Sequence, residues 1–204
     1  EAVDRISRSL HQNETILIFG DYDVDGVTAT TILYDFLMTA GGVVSYYIPH
    51  RVLEGYGLKS RHIREVALSR QTRLIITVDC GIRSTREAEY AGELDVKLII
   101  TDHHHPLESV PPADVVICPK QAGDEYPYKE LTGVGIAYKI ARALFEKSGG
   151  NPAAAEQWLD LVALGTVSDI APLTDEIRLL VKQGLRLMQT EPRQGIYSLM
   201  VVSD

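Results

Sequence analysis

Cysteine is scarce in this chain, which has two in 204 residues. Cys80 and Cys118 lack the paired spacing of zinc ligands, so neither a disulfide framework nor a structural zinc site is expected. Long apolar runs are also missing: none approaches the roughly 20 residues that span a bilayer, and no basic and apolar leader opens the chain. We therefore predict a globular, cytoplasmic protein with no membrane partner.

Two patterns of common catalytic sites are absent as well. The chain has no glycine-rich loop ending in Gly-Lys-Ser/Thr for nucleoside triphosphates, and no Gly-x-Ser-x-Gly turn for a serine nucleophile. Acidic residues outnumber basic ones, which gives a formal net charge of -8. Such an excess normally disfavours a nucleic-acid partner, but the argument weakens if several of the acids bind divalent cations.

The most distinctive acids follow an apolar run. Residues 16–20 predict a buried strand and residues 27–40 the next helix, so Asp21, Asp23 and Asp25 lie in the turn between them. On an extended backbone alternate side chains share one face, about 6.5–7 Å apart, which would let the three carboxylates converge. Such a cluster suits Mg²⁺ or Mn²⁺, although Asp and Gly are also ordinary residues of a solvated turn.

Two further apolar strands end in ionisable side chains. Residues 73–78 lead into Asp79, and residues 96–101 lead into the Asp-His-His run 102–104. In an open parallel α/β sheet, ligands bind beyond the carboxyl ends of the strands. Three strands that end in this way therefore favour a shared metal site over three unrelated polar turns.

The alternation of strands and helices up to about residue 120 predicts an α/β fold with a mostly parallel sheet flanked by helices. Residues from about 121 to 204 predict a helical segment. The other predicted elements are strands at 43–48 and 115–118 and helices at 2–10, 84–94, 133–145, 152–164 and 174–189.

Several residues outside the strand ends are also candidates for the site. Arg51 and Tyr56 lie in the loop after the second strand, and a cation beside an aromatic ring suits a phosphodiester backbone and a stacked base. Gly133 and Gly135 open a helix whose amides could hold a phosphate, although a lone Gly-x-Gly is weak evidence and close helix packing explains it better. Asp169 is a lone acid at a predicted helix end before a proline.

Together these segments resemble the DHH phosphoesterase superfamily, whose Asp-His-His corresponds to Asp102, His103 and His104. The matching segments occur in family order from near the first residue to about residue 173. They are Gly-Asp-Tyr-Asp-Val-Asp-Gly (20–26), Glu-Gly-Tyr-Gly-Leu (54–58), Val-Asp-Cys-Gly (78–81), Thr-Asp-His-His-His-Pro (101–106), Gly-Val-Gly (133–135) and Gly-Thr-Val-Ser-Asp-Ile-Ala-Pro-Leu (165–173).

The resemblance implies two metal ions, Mn²⁺ or Mg²⁺, and a role for each candidate. Asp79 would bridge the two ions and take part in catalysis, His104 would contact the scissile phosphate or assist proton transfer, and Asp102 would orient the imidazoles. Asp21 would be a metal ligand or an outer partner. The other metal ligands would be Asp23, Asp25, His103 and Asp169, and substrate would contact Arg51, Tyr56, His104, Gly133 and Gly135.

Within the superfamily, the single-stranded-DNA exonuclease branch is favoured, because Phe19 stands where the small-molecule branches carry a His. This branch implies 5′-to-3′ hydrolysis of single-stranded DNA in repair and recombination, with a single-strand-binding protein and a helicase as partners. The alternatives are a phosphodiesterase of short oligonucleotides or cyclic dinucleotides and a non-catalytic nucleic-acid-binding scaffold. Because such exonucleases continue into a companion domain, we expect residues 1–204 to be the catalytic domain of a larger protein.

Overall fold

The structure, a computed structural model, describes residues 1–203 and is built around one five-stranded sheet. Every strand pair is parallel, and the strand order is β2-β1-β3-β4-β5. The predicted α/β class, with a parallel sheet flanked by helices and followed by a helical segment, is confirmed. The strands are Thr15–Gly20 (β1), Val43–Tyr47 (β2), Leu74–Val78 (β3), Lys97–Thr101 (β4) and Val115–Ile117 (β5).

Helices cover both faces of the sheet and form the second half of the chain. Among residues 1–203, no helix combines the length and apolar character needed to cross a bilayer. The last helix was not predicted. The helices are Ala2–His11 (α1), Val24–Thr39 (α2), Ser60–His62 (α3, continued by a π-helical turn at Ile63–Ala67), Thr85–Glu93 (α4), Gly133–Lys147 (α5), Leu159–Ser168 (α6, preceded by a 3₁₀ turn at Pro152–Trp158), Asp175–Thr190 (α7) and Gln194–Ser203 (α8).

Strand β1, an interior strand of the sheet, separates two apolar clusters. Ile16 and Ile18 point to the larger cluster, which contains the buried faces of α2, α5, α6 and α7. Leu17 and Phe19 point to the smaller cluster, where they meet residues such as Ala88 of α4. Burial on both faces explains why this strand reads as a continuous apolar run rather than an alternating one.

Polar contacts fix the helical segment to the rest of the domain. The Trp158 indole donates a hydrogen bond to Asp35 of α2 at 2.7 Å. Arg193 Nε donates to Asp160 at 2.6 Å, which connects the approach to α8 with the buried start of α6. The helices after β5 therefore pack on the α2 side of the sheet.

The crossing of α6 and α7 leaves no room for a side chain at Gly184. A Cβ atom there would lie 2.0 Å from the Leu159 carbonyl oxygen and 2.7 Å from Ala163 Cβ. We expect Gly184→Ala to lower the free energy of unfolding by about 1–3 kcal/mol, since overpacking outweighs the better helix propensity of alanine. Urea denaturation measures this, and Gly195→Ala is the control because its Cβ would meet nothing within 4 Å. Equal stability of the two variants would contradict the prediction.

Candidate metal centre and active site

The sheet topology brings the predicted acids to one edge. The chain moves from β1 to β2 on one side and returns to β3 on the other, so the sheet has its crevice beyond the carboxyl ends of β1 and β3. Asp21 directly follows β1, Asp79 directly follows β3, and residues 102–104 follow β4. Asp169 joins them from the C-terminal end of α6.

Asp25 reaches the site from a helix and not from an extended segment. Helix α2 begins at Val24, three residues before its predicted start, and Asp23 is its N-cap, accepting a hydrogen bond from the Gly26 amide at 2.9 Å. The prediction that Asp21, Asp23 and Asp25 share one face of an extended strand is therefore wrong. The helical turn directs Asp25 away from the other two acids.

The result is two sets of carboxylates on either side of a shared centre. All six predicted metal ligands belong to groups whose ligand atoms lie within 4.8 Å of one another. Because Asp79 and His103 each occur in two groups, the groups form one continuous cluster. The groups are Asp21, Asp23 and Asp79; Asp25, His103 and Asp169; and Asp79, His103 and His104.

Carboxylate oxygens in this cluster are buried without hydrogen-bond donors. Within residues 1–203, both oxygens of Asp79 and Oδ1 of Asp21 have no hydrogen-bond partner, although Asp79 is only 1% exposed. His103 Nε2 lies 3.0 Å from Asp79 Oδ1 without the alignment of a hydrogen bond. Buried acceptors of this kind are costly unless something compensates their charge. Several hard oxygens and one imidazole that face a common volume fit a divalent cation.

The electrostatics of the cluster agree with this fit. Burial raises the pKa of Asp21 to about 6, and the neighbouring Asp23 carboxylate adds to the shift. Burial also raises the pKa of Asp79, with repulsion from Asp25 as the next cause. Without a cation, these carboxyls therefore prefer the protonated form more strongly than an ordinary aspartate does. A bound divalent ion would reverse that preference, because it supplies the positive charge that the protein does not.

Asp25 is held by the start of helix α5. Its two oxygens accept hydrogen bonds from the amides of Gly133 and Val134 at 2.6 and 2.8 Å. The Gly135 amide donates to the Thr132 hydroxyl, the N-cap of the same helix, at 3.4 Å. The amides of Gly133 and Gly135 are thus already occupied, and the prediction that they bind substrate phosphate does not fit this geometry.

Gly133 is required by close packing against the cluster. A Cβ atom there would lie 2.6 Å from Asp79 Cβ and 2.9 Å from Asp79 Oδ1. Asp79 itself has a positive φ of 62°, in the left-handed region where short polar residues are the usual non-glycine occupants. The glycine therefore lets the N-terminus of α5 approach the strand end that carries Asp79.

His103 has a neutral imidazole that could act as a metal ligand. Its side chain is 10% exposed, and Nε2 also lies 3.7 Å from Asp25 Oδ2 and 4.0 Å from Asp169 Oδ2. Burial lowers the pKa of His103 to about 4, and the charge of His104 lowers it further. A neutral imidazole keeps the lone pair that metal coordination needs.

Asp102 and His104 form a hydrogen-bonded pair beside the cluster. His104 Nδ1 lies 2.8 Å from Asp102 Oδ1, and this hydrogen bond is the main cause of the raised pKa of His104. Burial alone would raise the pKa of Asp102, but hydrogen bonds from the His104 side chain and from the Ile82 and His104 amides hold it below its usual value. Asp102 thus remains ionised and favours the imidazolium form of His104. Its contact with His103 is through the backbone amide, at 2.7 Å, and not through the imidazole.

The loop after β2 places Tyr56 against this pair. The Tyr56 hydroxyl lies 3.2 Å from the backbone oxygen of Asp79 and 3.2 Å from His104 Nδ1. Glu54 anchors the same loop by accepting hydrogen bonds from the Tyr47 hydroxyl at 2.8 Å and from the His50 amide at 2.7 Å. The hydroxyl of Tyr56 therefore contacts the backbone of Asp79 and the imidazole of His104, a role additional to the predicted stacking of a base.

Arg51 occupies an exposed position at the edge of the site. Its guanidinium carbon lies 5.2 Å from the ring centroid of Tyr22, the residue between Asp21 and Asp23. This places a cation over the aromatic ring next to the carboxylate cluster. The structure thus brings Arg51 and Tyr56 to the same side of the molecule as the predicted metal ligands.

Three contributors were missed from the sequence. The amides of Ile82 and Val134 hold Asp102 and Asp25, and the Tyr22 ring lies beneath Arg51. Backbone amides leave no residue-type signal, so only the fold reveals the first two. Tyr22 could have been noticed, because it is an aromatic residue between Asp21 and Asp23. Arg51 follows in the loop after the next strand.

Comparison with known proteins identifies relatives along the whole chain. Residues 15–166 match the model described as "DHH family, N-terminal domain". The single-stranded-DNA-specific exonuclease RecJ of Bacillus subtilis is 44% identical over 203 residues, which cover 100% of this chain and 25% of that protein. The chain therefore spans about a quarter of the length of this curated relative.

Solved structures give the same relationship. The crystal structure of exonuclease RecJ bound to manganese matches with a TM-score of 0.90 and 37% identity, covering 98% of this chain and 50% of that one. RecJ from Thermus thermophilus in complex with Mn²⁺ matches with a TM-score of 0.84 and 33% identity, and the match covers 98% of this chain and 28% of that one. The complex of the same enzyme with Mg²⁺ matches with a TM-score of 0.67 and 29% identity, and the match covers 98% of this chain and 25% of that one.

Proposed function

Since this chain belongs to the DHH family, we propose that it is the catalytic part of a metal-dependent phosphodiesterase that removes nucleotides from single-stranded DNA in the 5′-to-3′ direction. The similarity to RecJ exonucleases over the whole chain supports the substrate class. The chemical class rests on the site itself. The observation that carries it is the cluster that contains the six predicted metal ligands, with buried carboxylate oxygens left without donors.

Two divalent cations fit this cluster, and Mn²⁺ and Mg²⁺ are the proposed ions. Asp21, Asp23 and Asp79 would hold one ion, and Asp25, His103 and Asp169 the other, with Asp79 close enough to both groups to bridge them. The ions would lower the pKa of an attacking water and offset charge on the phosphate. The imidazole of His103 favours Mn²⁺ over Mg²⁺, because nitrogen ligands suit the softer ion.

His104 supplies a proton donor beside the phosphate. Its Nδ1 contacts Asp102, so Nε2 is the ring nitrogen left to face substrate. An imidazolium at this position donates a hydrogen bond to a phosphate oxygen, where negative charge grows during hydrolysis. Asp102 keeps the imidazole charged and fixes its rotation. Tyr56 contacts the same Nδ1 and limits the motion of the ring.

Arg51 and Tyr22 provide a binding surface for the DNA strand next to the carboxylate cluster. A guanidinium group binds phosphate oxygens, and an aromatic ring stacks on a base without selecting its identity. Such contacts suit an enzyme that acts on successive nucleotides of any sequence. The single-strand-binding protein and the helicase implied by the resemblance stay predictions.

The direct test is hydrolysis of a long single-stranded DNA labelled at either end, with Mn²⁺ present, beside a dinucleotide and pyrophosphate. We expect nucleotides to be released from the 5′ end of the long strand, and His104→Ala to lower kcat by about 100-fold or more. His105→Ala is the matched control, because this neighbouring histidine is exposed and belongs to none of the ligand groups.

Other outcomes would change the proposal in defined ways. Hydrolysis of the dinucleotide alone would favour a phosphodiesterase of short oligonucleotides. Binding of the strand without hydrolysis of any substrate would favour a scaffold. An equal loss of activity in His104→Ala and His105→Ala would remove His104 from the proposed mechanism.

A further inference from the structure

Helix α7 carries two rows of side chains that run side by side on its outer face. The first row consists of three exposed cations, Arg178, Lys182 and Arg186. The adjoining row begins with the apolar residues Val181 and Leu185. Both rows follow the four-residue spacing along which side chains on a helix form a continuous ridge, so a basic ridge lies beside an apolar one.

A groove with a volume of about 340 Å³ lies along these two rows. Leu173, from the loop before α7, lines it as well. Leu173 and Leu185 are 46% and 47% exposed, so residues 1–203 leave nearly half of each side chain uncovered. The lining within these residues contains no acid. The groove therefore combines uncovered aliphatic surface with positive charge of one sign.

The three cations have no carboxylate partner within residues 1–203. The acids nearest to them in sequence, Asp175 and Glu176, lie at the start of α7 outside the groove, and Glu176 pairs with Lys139 of α5. Arg186 also borders a neighbouring groove that contains Glu156, but it forms no ion pair there. In a chain with a formal net charge of -8, an uncompensated row of cations attracts an acidic surface.

We propose that this groove docks an acidic amphipathic helix of a partner protein. Carboxylates at positions i, i+4 and i+8 of such a helix rise by about 6 Å per step, which equals the rise between the cations of α7. An apolar ridge beside these acids covers Leu173 and Leu185. Two helices that pack through ridges of this spacing cross at about -50°. The groove shares no residue with the metal centre, so the docking goes beyond the proposed hydrolysis.

Other occupants fit the groove less well. Its lining has no aromatic ring on which a nucleotide base could stack, so aliphatic side chains of a peptide match it better than a DNA strand does. A second copy of this chain lacks the required acids, because no helix of residues 1–203 carries three acids at i, i+4 and i+8. Both comparisons favour a different protein as the partner.

Fluorescence anisotropy of a labelled synthetic peptide helix tests the docking. The probe has Glu at i, i+4 and i+8 and Leu along the adjoining ridge, and a second peptide has Lys in place of each Glu. Wild type should bind the Glu peptide, and Leu185→Ala should bind it about fivefold more weakly, since a half-exposed leucine is lost from the contact. Leu179→Ala is the matched control, because Leu179 is a 62% exposed leucine of α7 that does not line the groove.

Reversal of the charges tests the pairing itself. The combined variant Arg178→Glu, Lys182→Glu and Arg186→Glu should bind the Glu peptide at least about tenfold more weakly, since each exposed ion pair contributes up to about fivefold. The same variant should bind the Lys peptide more tightly than wild type does. Misfolding cannot produce this gain. Arg86→Glu, at an exposed arginine of α4, should change neither affinity.

Four results would overturn the proposal. Equal affinity of Leu185→Ala and Leu179→Ala for the Glu peptide would place the peptide outside the groove. If the charge-reversed variant binds the Glu peptide like wild type but a labelled single DNA strand more weakly, the groove holds nucleic acid. A dimer in sedimentation experiments that Leu185→Ala dissociates would make a second copy the occupant. If a full-length form fails to bind the peptide that residues 1–204 bind, the occupant is another segment of the same protein.

Discussion

Asp79→Asn is expected to abolish Mn²⁺-dependent hydrolysis while leaving the metal-free protein at least as stable as wild type. Asp79 lies at the centre of the cluster, and its buried oxygens have no hydrogen-bond donors among residues 1–203. Burial raises its pKa, so without metal the folded protein must keep this carboxyl protonated or tolerate its charge, and a neutral amide removes that cost. The amide can also donate to His103 Nε2, which lies 3.0 Å from Asp79 Oδ1.

The measurements are urea denaturation in EDTA and again with Mn²⁺. Wild type should gain about 2.7 kcal/mol when free Mn²⁺ is 100 times its dissociation constant, and Asp79→Asn should gain much less. Asp160→Asn is the matched control, since Asp160 is also buried but is paired with Arg193 at 2.6 Å. We expect this control to lose stability and keep its Mn²⁺ response. A wild-type Mn²⁺ response in Asp79→Asn would contradict the bridging role.

Asp102→Asn should lower kcat by about 100-fold or more and move the high-pH limb of the rate profile toward lower pH. The hydrogen bond that the His104 imidazolium donates to Asp102 is the main cause of the raised pKa of His104. If protonated His104 is the active form, activity is lost as pH rises through this pKa, and loss of the carboxylate lowers that pKa. The profile of kcat from pH 5 to 10 measures the shift.

A matched control separates this effect from a general structural one. Asp114 also accepts a hydrogen bond from a backbone amide, that of Leu98 at 2.9 Å, but it lies outside the site. Asp114→Asn should leave both kcat and the pH profile unchanged. If Asp102→Asn binds metal but its high-pH limb does not shift, the limb reports the titration of a group other than His104.

The strand ends could be predicted because they combine two local signals. An apolar run and the polar residues after it are both visible in sequence, and parallel strands align their carboxyl ends, so the sequence alone predicts that Asp79 and Asp102 lie together. The backbone predicted around Asp25 was wrong. The position of Asp25 depends on where α2 starts, and Asp23 acts as the N-cap only because its side chain accepts from Gly26.

Contacts between distant segments could not be predicted in the same way. Asp25 accepts hydrogen bonds from amides at positions 133 and 134, and every residue type except proline offers an amide. The Gly-x-Gly pair was visible, but sequence alone could not distinguish a helix that binds phosphate from one that binds a carboxylate of its own chain.

The attachment of Asp25 to the start of α5 also has a consequence for biosynthesis. A ribosome releases this chain from its N-terminus, so Asp21, Asp23 and Asp25 emerge long before the amides at 133 and 134 and the ligand Asp169. The nascent chain can therefore not complete the group of Asp25, His103 and Asp169 until its helical segment has emerged and docked. Until then, the emerging protein presents only part of its proposed metal centre.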